Sequence, residues 1–367
     1  MRVLITNAHL ENHAGTEVVV RDLALELVRQ GHEPVVYSPK LGTIAAEISK
    51  AGIEVTADLR TVACPPDIIH GQHHSEVVEA LLQFPATPAI YVCHNATAQR
   101  EEPFYFPRIL RYVAVDLRCK KRIESIAGIS SRSIEVIENA VNLDRFQLRP
   151  PLPEKPKRAL VFSNYEGQLP AIRRACRRKG LELAVVGRAA RTALPNPESF
   201  LPQYDIVFAK ARCALEAMTV GCAVVLCDFA GAGPMVTART FEDLRRMNFG
   251  QGVLVNPLRP EFLTPEIAHY DPADAAEVCQ RARKAADLKD AVHRWIALYA
   301  DVAAEFRNSP RDYSAEYQAL ADYLRKWSYK GRVGWEGKQL EKLRGIPVFG
   351  NTAARTAIRM IKKWSRW

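Results

Sequence analysis

Two cations and a carboxylate stand close together in residues 204–228, YDIVFAKARCALEAMTVGCAVVLCD. Lys210 and Arg212 fall at the mouth of a helix that carries Glu216 and stops at Gly221. Residues 204–208 before them read as a short apolar strand. Residues 222–227 after them read as a second strand, continuously apolar and so buried on both faces. The amino end of a helix exposes unpaired N–H groups and the positive pole of its dipole. A strand that delivers Lys210, Arg212 and Glu216 there can hold a phosphorylated ligand. A plainer reading competes. Glu216 follows Arg212 by four residues, the spacing of an ordinary helix ion pair, and both cations could be solvated.

Other polar residues fall at equivalent places. Gly15 lies between the first strand and the first helix, where the lack of a Cβ lets a ligand approach the backbone. His94 ends a strand, where a neutral imidazole could hydrogen-bond a substrate or satisfy a neighbour. Asn164 follows the first strand of the second half of the chain. His70, His73 and His74 lack a fourth ligand at usable spacing and read as a polar loop rather than a metal site. Asn139 and Asn142 read as turn formers. Gly231 and Gly233 read as an amide nest or a flexible turn.

The elements that must position these residues alternate regularly. Strands are expected over 3–6, 32–38, 53–56, 67–70, 89–94, 112–115 and 134–137. Helices intervene over 16–30, 44–50, 76–83 and 118–125. This alternation predicts a parallel sheet with helices on both faces. Residues 148–157 contain four prolines and four charged residues and form the best linker. A second alternating unit follows, with strands over 159–163, 181–186, 204–208, 222–227 and 253–255. Its helices are expected over 168–179, 211–220 and 242–246. From residue 272 onward only helical spacing remains, over 273–286, 291–307 and 315–327. In such sheets ligands bind beyond the carboxyl ends of the strands, where Gly15, His94, Asn164 and Lys210 all fall.

The net charge of +10 sits at one end. Residues 325–367 hold twelve Lys/Arg and two Asp/Glu, whereas residues 1–324 hold 39 of each sign. That argues against a general nucleic-acid surface and for one local electrostatic contact. Residues 352–367, TAARTAIRMIKKWSRW, place apolar and basic side chains at helical spacing with tryptophan near the end, which suits an anionic membrane surface. The alternative is a helix docked on the first domain. The eight cysteines include no CxxC pair and read as reduced small hydrophobes. The opening MRVLITNAH reads as a first strand rather than a signal sequence, so a cytoplasmic protein, peripheral at most on the membrane's inner face, is expected.

Three segments resemble glycosyltransferase family 4. Residues 12–37, NHAGTEVVVRDLALELVRQGHEPVVY, resemble its opening loop, helix and second strand. Glu138-Asn139-Ala140-Val141-Asn142 with Phe146 resembles its PNGVD…F element. Leu215-Glu216-Ala217-Met218 with Gly221 resembles its LEAMAxGxPV element. The resemblance covers roughly residues 1–310. Each motif is weak alone, and their order and spacing carry the likeness.

The resemblance implies an α/β chain of the GT-B fold, with two doubly wound Rossmann-like domains facing a cleft and a helical C-terminal extension. Its parts would be an acceptor-side domain (1–150), a donor domain (151–310), a helix crossing back to the first domain (311–328) and a basic amphipathic tail (329–367). It implies a hexosyltransferase-like enzyme of polysaccharide biosynthesis. Such an enzyme moves a sugar from a nucleotide-sugar donor to an envelope glycan or lipid-linked acceptor, with retention and without a metal or other cofactor. On this chain it assigns the reacting region to Gly15, His94, Lys210 and Arg212. Donor contacts fall on Asn164, Lys210, Arg212, Ala214, Leu215 and Glu216, with the Glu216 carboxylate on a ribose diol. Two departures stand out. The first carboxylate of the family's Glu-x7-Glu pair falls on Phe208, and no cation stands in 163–169 where an Arg and a Lys are expected. Lys210 and Arg212 would then have to neutralise the leaving diphosphate. A non-catalytic nucleotide-sugar-binding or scaffold protein of the same fold is the alternative. A nucleic-acid-binding protein, for which no module is recognisable, is a third reading.

Overall fold

The computed structural model describes residues 1–163, 167–187 and 196–327. Asn164 and the tail 329–367 lie outside the described residues, as do all the side chains of 352–367.

Residues 1–309 form one compact unit holding two sheets. The first sheet has seven strands: β1 (Arg2–Thr6), β2 (Glu33–Tyr37), β3 (Glu54–Thr56), β4 (Ile68–Gln72), β5 (Ala89–Cys93), β6 (Ile109–Ala114) and β7 (Ile134–Val136). They lie in the order β3-β2-β1-β4-β5-β6-β7, and every pairing is parallel. The strands are short and apolar, with β4 and β5 buried at every position, as a sheet covered on both faces requires. Helices α1 (Gly15–Arg29), α2 (Thr43–Lys50), α3 (His74–Gln83) and α4 (Leu117–Glu124) make the crossovers. The order reverses between β1 and β4, which opens a crevice above their carboxyl ends.

The second sheet has five strands: β8 (Arg158–Phe162), β9 (Glu182–Val186), β10 (Ile206–Ala209), β11 (Ala223–Asp228) and β12 (Gly231–Met235). Their order is β12-β11-β10-β8-β9. Only β12 runs antiparallel to its neighbour. Alternate residues feed two cores. Val207 and Val224 join one with helices α6 (Ala211–Val220) and α9 (Pro272–Ala285). Ile206, Phe208 and Val225 join the other with α5 (Leu169–Arg178) and α8 (Pro260–Ala268). A short helix, α7 (Phe241–Arg246), and a long one, α10 (Leu288–Asn308), complete the unit.

Two expectations are corrected. Residues 253–255 are not a strand, because Gln251–Val253 is a 3-10 turn and only Asn256 bridges to Ala232. Gly231 and Gly233 form neither a nest nor a loose turn. They lie in β12, pressed so closely on the 253–254 backbone that a Cβ would stand 2.8 Å from the Leu254 carbonyl at Gly231 and 2.9 Å from the Val253 carbonyl at Gly233. Helix α10 packs on α1, β5 and β6.

Residues 310–367 form the second unit, of which 313–327 are helical. Among the described residues, no helix is long and apolar enough to cross a membrane.

Candidate functional site

Helix α6 begins where β10 ends. Its N-cap, Lys210, is extended and gives no side-chain cap to the first-turn N–H groups. Ala211 follows at φ 49°, a left-handed conformation that a non-glycine residue adopts at a cost of order 1 kcal/mol. Its N–H donates to the Phe249 carbonyl at 2.8 Å, and Asn248 and Phe249 both stand at φ 50°. Strained backbone is thus concentrated where the helix meets the cleft.

Arg212 turns away from solvent to face two carboxylates. Its Nε donates to Glu216 Oε1 at 2.7 Å, so the helix pair allowed by the spacing is made. Its Nη2 pairs with Asp22 on α1, across the cleft between the two sheets. Asp22 also receives Arg21 at 2.8 Å and faces Arg145 at 3.7 Å. Arg21 and Arg145 in turn hold Glu47 at 3.0 Å and Glu198 at 2.9 Å. Three guanidiniums therefore meet four carboxylates.

Burial governs this cluster. It would push the Asp22 carboxyl up, but the Arg212 and Arg21 guanidiniums outweigh it and hold the group below the usual carboxylate range. At Glu216 burial prevails over the attraction of Arg212 and raises the pKa. Burial opposes the charge on Arg212, yet Asp22 and Glu216 overcome it and raise the guanidinium further. Arg212 is a fixed cation whose charge is already balanced.

Two hollows flank Arg212. One is lined by His13, Gly15, Phe162, Ser163, Arg212 and Glu216, drawn from both sheets. A Cβ at Gly15 would meet nothing within 4 Å, so the glycine leaves open space at this wall. The other hollow is lined by Asp22, His70, His94, Asn139, Arg212 and Trp295, among others. The His94 Nε2 is buried there without a hydrogen-bond partner. Burial lowers the His94 pKa against the pull of Glu101, and His73 and Arg212 lower it further, so the ring is neutral at neutral pH.

The predicted residues therefore divide. Gly15, Arg212 and Glu216 share one hollow, and Arg212 and His94 share the other. Lys210 borders neither. It pairs with Asp228, which is fully buried, and lies 5.6 Å from the Phe229 ring centre. Ala214 and Leu215 are fully buried, so their side chains are core rather than cleft. Phe208 is likewise a core residue against α5 and α8, on the sheet face opposite α6. The three histidines do not form the expected loop, because His70 lies in β4, His73 is the N-cap of α3 and His74 begins that helix. His70 Nδ1 bonds the Tyr299 hydroxyl at 2.7 Å, whereas His73 accepts from the Ala8 N–H at 3.1 Å and its Nε2 faces Glu101 at 3.5 Å. Among the described residues, no group of three potential ligands could hold a metal ion.

Asp22, Arg21 and Arg145 were not anticipated. The available signal is the Arg21-Asp22 doublet within the apolar face of α1, where both side chains are buried.

The architecture matches solved structures along most of their length. A glycosyltransferase from Rickettsia africae ESF-5 superposes with a TM-score of 0.62 at 17% identity, covering 84% of this chain and 99% of that one. Anabaena HepE, solved in complex with UDP and glucose, gives 0.61 at 14% identity, covering 82% and 99%. The lipopolysaccharide outer core galactosyltransferase WaaB, in its apo form, gives 0.54 at 13% identity, covering 82% and 100%. The chain has the GT-B fold. Residues 13–145 match the model of Glycosyltransferase Family 4, so this GT-B chain resembles that family as a divergent case. No curated protein matches its sequence significantly. In GT-B terms, both hollows are lined by residues of the two facing domains, and Arg212 lines both.

Proposed function

We propose that the chain transfers a sugar from a nucleotide-sugar donor to an envelope glycan or lipid-linked acceptor, with retention and without a metal. The observation that carries this reading is the meeting of Gly15, Glu216 and the first turn of α6, which no side chain caps, at one interdomain hollow. The UDP and glucose bound to the HepE neighbour support a donor of that class.

In this reading the donor diphosphate lies at the amino end of α6, and Glu216 takes the ribose diol. The neutral His94 ring faces a hydroxyl of the transferred sugar through its unpartnered Nε2. The acceptor oxygen bonds to the anomeric carbon as the bond from that carbon to the phosphate oxygen breaks. The nucleoside diphosphate leaves with the electron pair, and the acceptor proton passes to a phosphate oxygen. Lys210 and Arg212 stabilise the leaving charge, for which Arg212 exchanges Asp22 for phosphate and Lys210 leaves Asp228 to turn into the hollow.

The balanced charge of Arg212 and the pairing of Lys210 with Asp228 favour a second reading, a donor-binding protein without turnover. Thermal-shift screening and donor turnover across UDP-, GDP- and ADP-sugars separate the two. Transfer or donor hydrolysis supports the enzyme. Donor binding with neither reaction supports the binding protein, and binding of none removes both.

A further inference from the structure

The donor chemistry makes no use of the outer face of α5. This helix repeats two buried and two exposed residues. Ala171, Ile172, Ala175 and Cys176 enter the core, while Arg173, Arg174, Arg177 and Arg178 face solvent, followed by exposed Lys179. Cations in the last turn of a helix complement its dipole, but that effect is confined to the terminal turn, and these five span nearly two turns.

Charge accounting sets α5 apart. Among the described residues only Arg178 has a carboxylate partner, Glu261 on α8 at 3.1 Å. Arg173, Arg174, Arg177 and Lys179 have none. Helix α4 carries as many cations, yet two of them, Lys120 and Arg122, are engaged. Lys120 lies 4.0 Å from Glu124, and Arg122 donates to the Asn95 and Ala98 carbonyls at 2.7 and 2.8 Å. Beside α5, Arg173 and Arg177 rim a shallow recess floored by Leu181 and Leu183. Phe262, next to Glu261 on α8, is an exposed large apolar side chain.

We propose that the Arg173, Arg174, Arg177 and Lys179 face of α5 docks on an anionic phospholipid bilayer. A convex helix face presents cations to a flat array of phosphate headgroups, which attracts each of them. Planar guanidiniums grip phosphate oxygens in pairs, and the shallow apolar recess and Phe262 add interfacial contact. Phe262 by itself makes no row of aromatics on which successive bases of a nucleic-acid strand would stack. The contact orients the second domain on the membrane, and it stands whether or not the cleft turns over a donor.

The test uses the full chain with vesicles of phosphatidylcholine alone or mixed with phosphatidylglycerol. Wild type binds the mixed vesicles, and binding weakens with salt. Arg173→Gln, Arg174→Gln, Arg177→Gln and Lys179→Gln combined lowers affinity tenfold or more, whereas Lys120→Gln with Lys121→Gln on α4 leaves it within about twofold. A smaller loss in the α5 variant, or equal loss in the α4 control, overturns the proposal. So does binding to a short oligonucleotide without binding to vesicles. Phenylglyoxal footprinting of the wild type needs no variant to fold. Mixed vesicles protect Arg173, Arg174 and Arg177 in mass spectra, and unprotected arginines overturn the proposal.

Discussion

Asp22 of the first domain and Arg212 of the second form a buried ion pair across the cleft, and each is also held by a charged partner within its own domain. Removing one partner of such a pair leaves an uncompensated buried charge. Asp22→Asn is expected to destabilise the protein by about 3 kcal/mol, read by denaturant unfolding. Asp22→Asn combined with Arg212→Gln should cost less than the sum of the single variants. Additive losses would show that the pair is not coupled.

Lys210→Ala should lower donor turnover or donor affinity by orders of magnitude on the folded fraction. Asp228 also loses its buried counter-ion, so unfolding must be measured beside kinetics. Unchanged kinetics in folded protein would remove Lys210 from the mechanism.

Gly15→Ala separates folding from binding. A Cβ there meets nothing, and alanine favours the start of α1, so stability should hold or rise by up to about 1 kcal/mol. Donor affinity should fall at least tenfold by calorimetry, because the methyl group fills the hollow. Unaltered donor affinity would place the donor elsewhere.

His70 predicts an acid limb of stability. Burial, reinforced by His94, brings its pKa down from 6.5 to about 3. The folded state therefore keeps a neutral ring while the unfolded chain takes up a proton below pH 6.5. Stability is full above pH 6.5 and declines as pH falls from 6.5 towards 3. His70→Phe should flatten this limb in urea unfolding, although at neutral pH it leaves the Tyr299 hydroxyl unpaired at a cost of about 1 kcal/mol. An unchanged slope would mean that His70 is not the titrating group.

Thiol reactivity should follow exposure. Cys64 is exposed, whereas burial pushes the Cys176 and Cys222 thiols up to about 12. Ellman's reagent at pH 8 should find a fast thiol that Cys64→Ser abolishes, with the buried set reacting only on unfolding. A fast phase that survives Cys64→Ser would contradict this assignment.

Much of the fold was legible because parallel strands buried on both faces leave continuous apolar runs between helix signals. The run 222–227 lies within and just before β11 for this reason. The misreadings share a cause. Residues 253–255 have strand composition but no partner strand, while 231–235 pair because glycines admit close backbone approach. Helix α10 carries no mark in its own sequence of which sheet it covers.

Lys210, Arg212 and Glu216 show where sequence reading stops. The chain by itself determined that they stand at a strand-to-helix junction and that Arg212 and Glu216 share a helix face, since those relations are local in backbone geometry. Only the tertiary structure decided that Asp22 meets Arg212, that Asp228 meets Lys210 and that Phe208 is core. Those outcomes depend on which groups burial brings within a few ångströms across 190 residues of chain, and coulombic compensation in a buried site depends on distance in space rather than spacing in sequence.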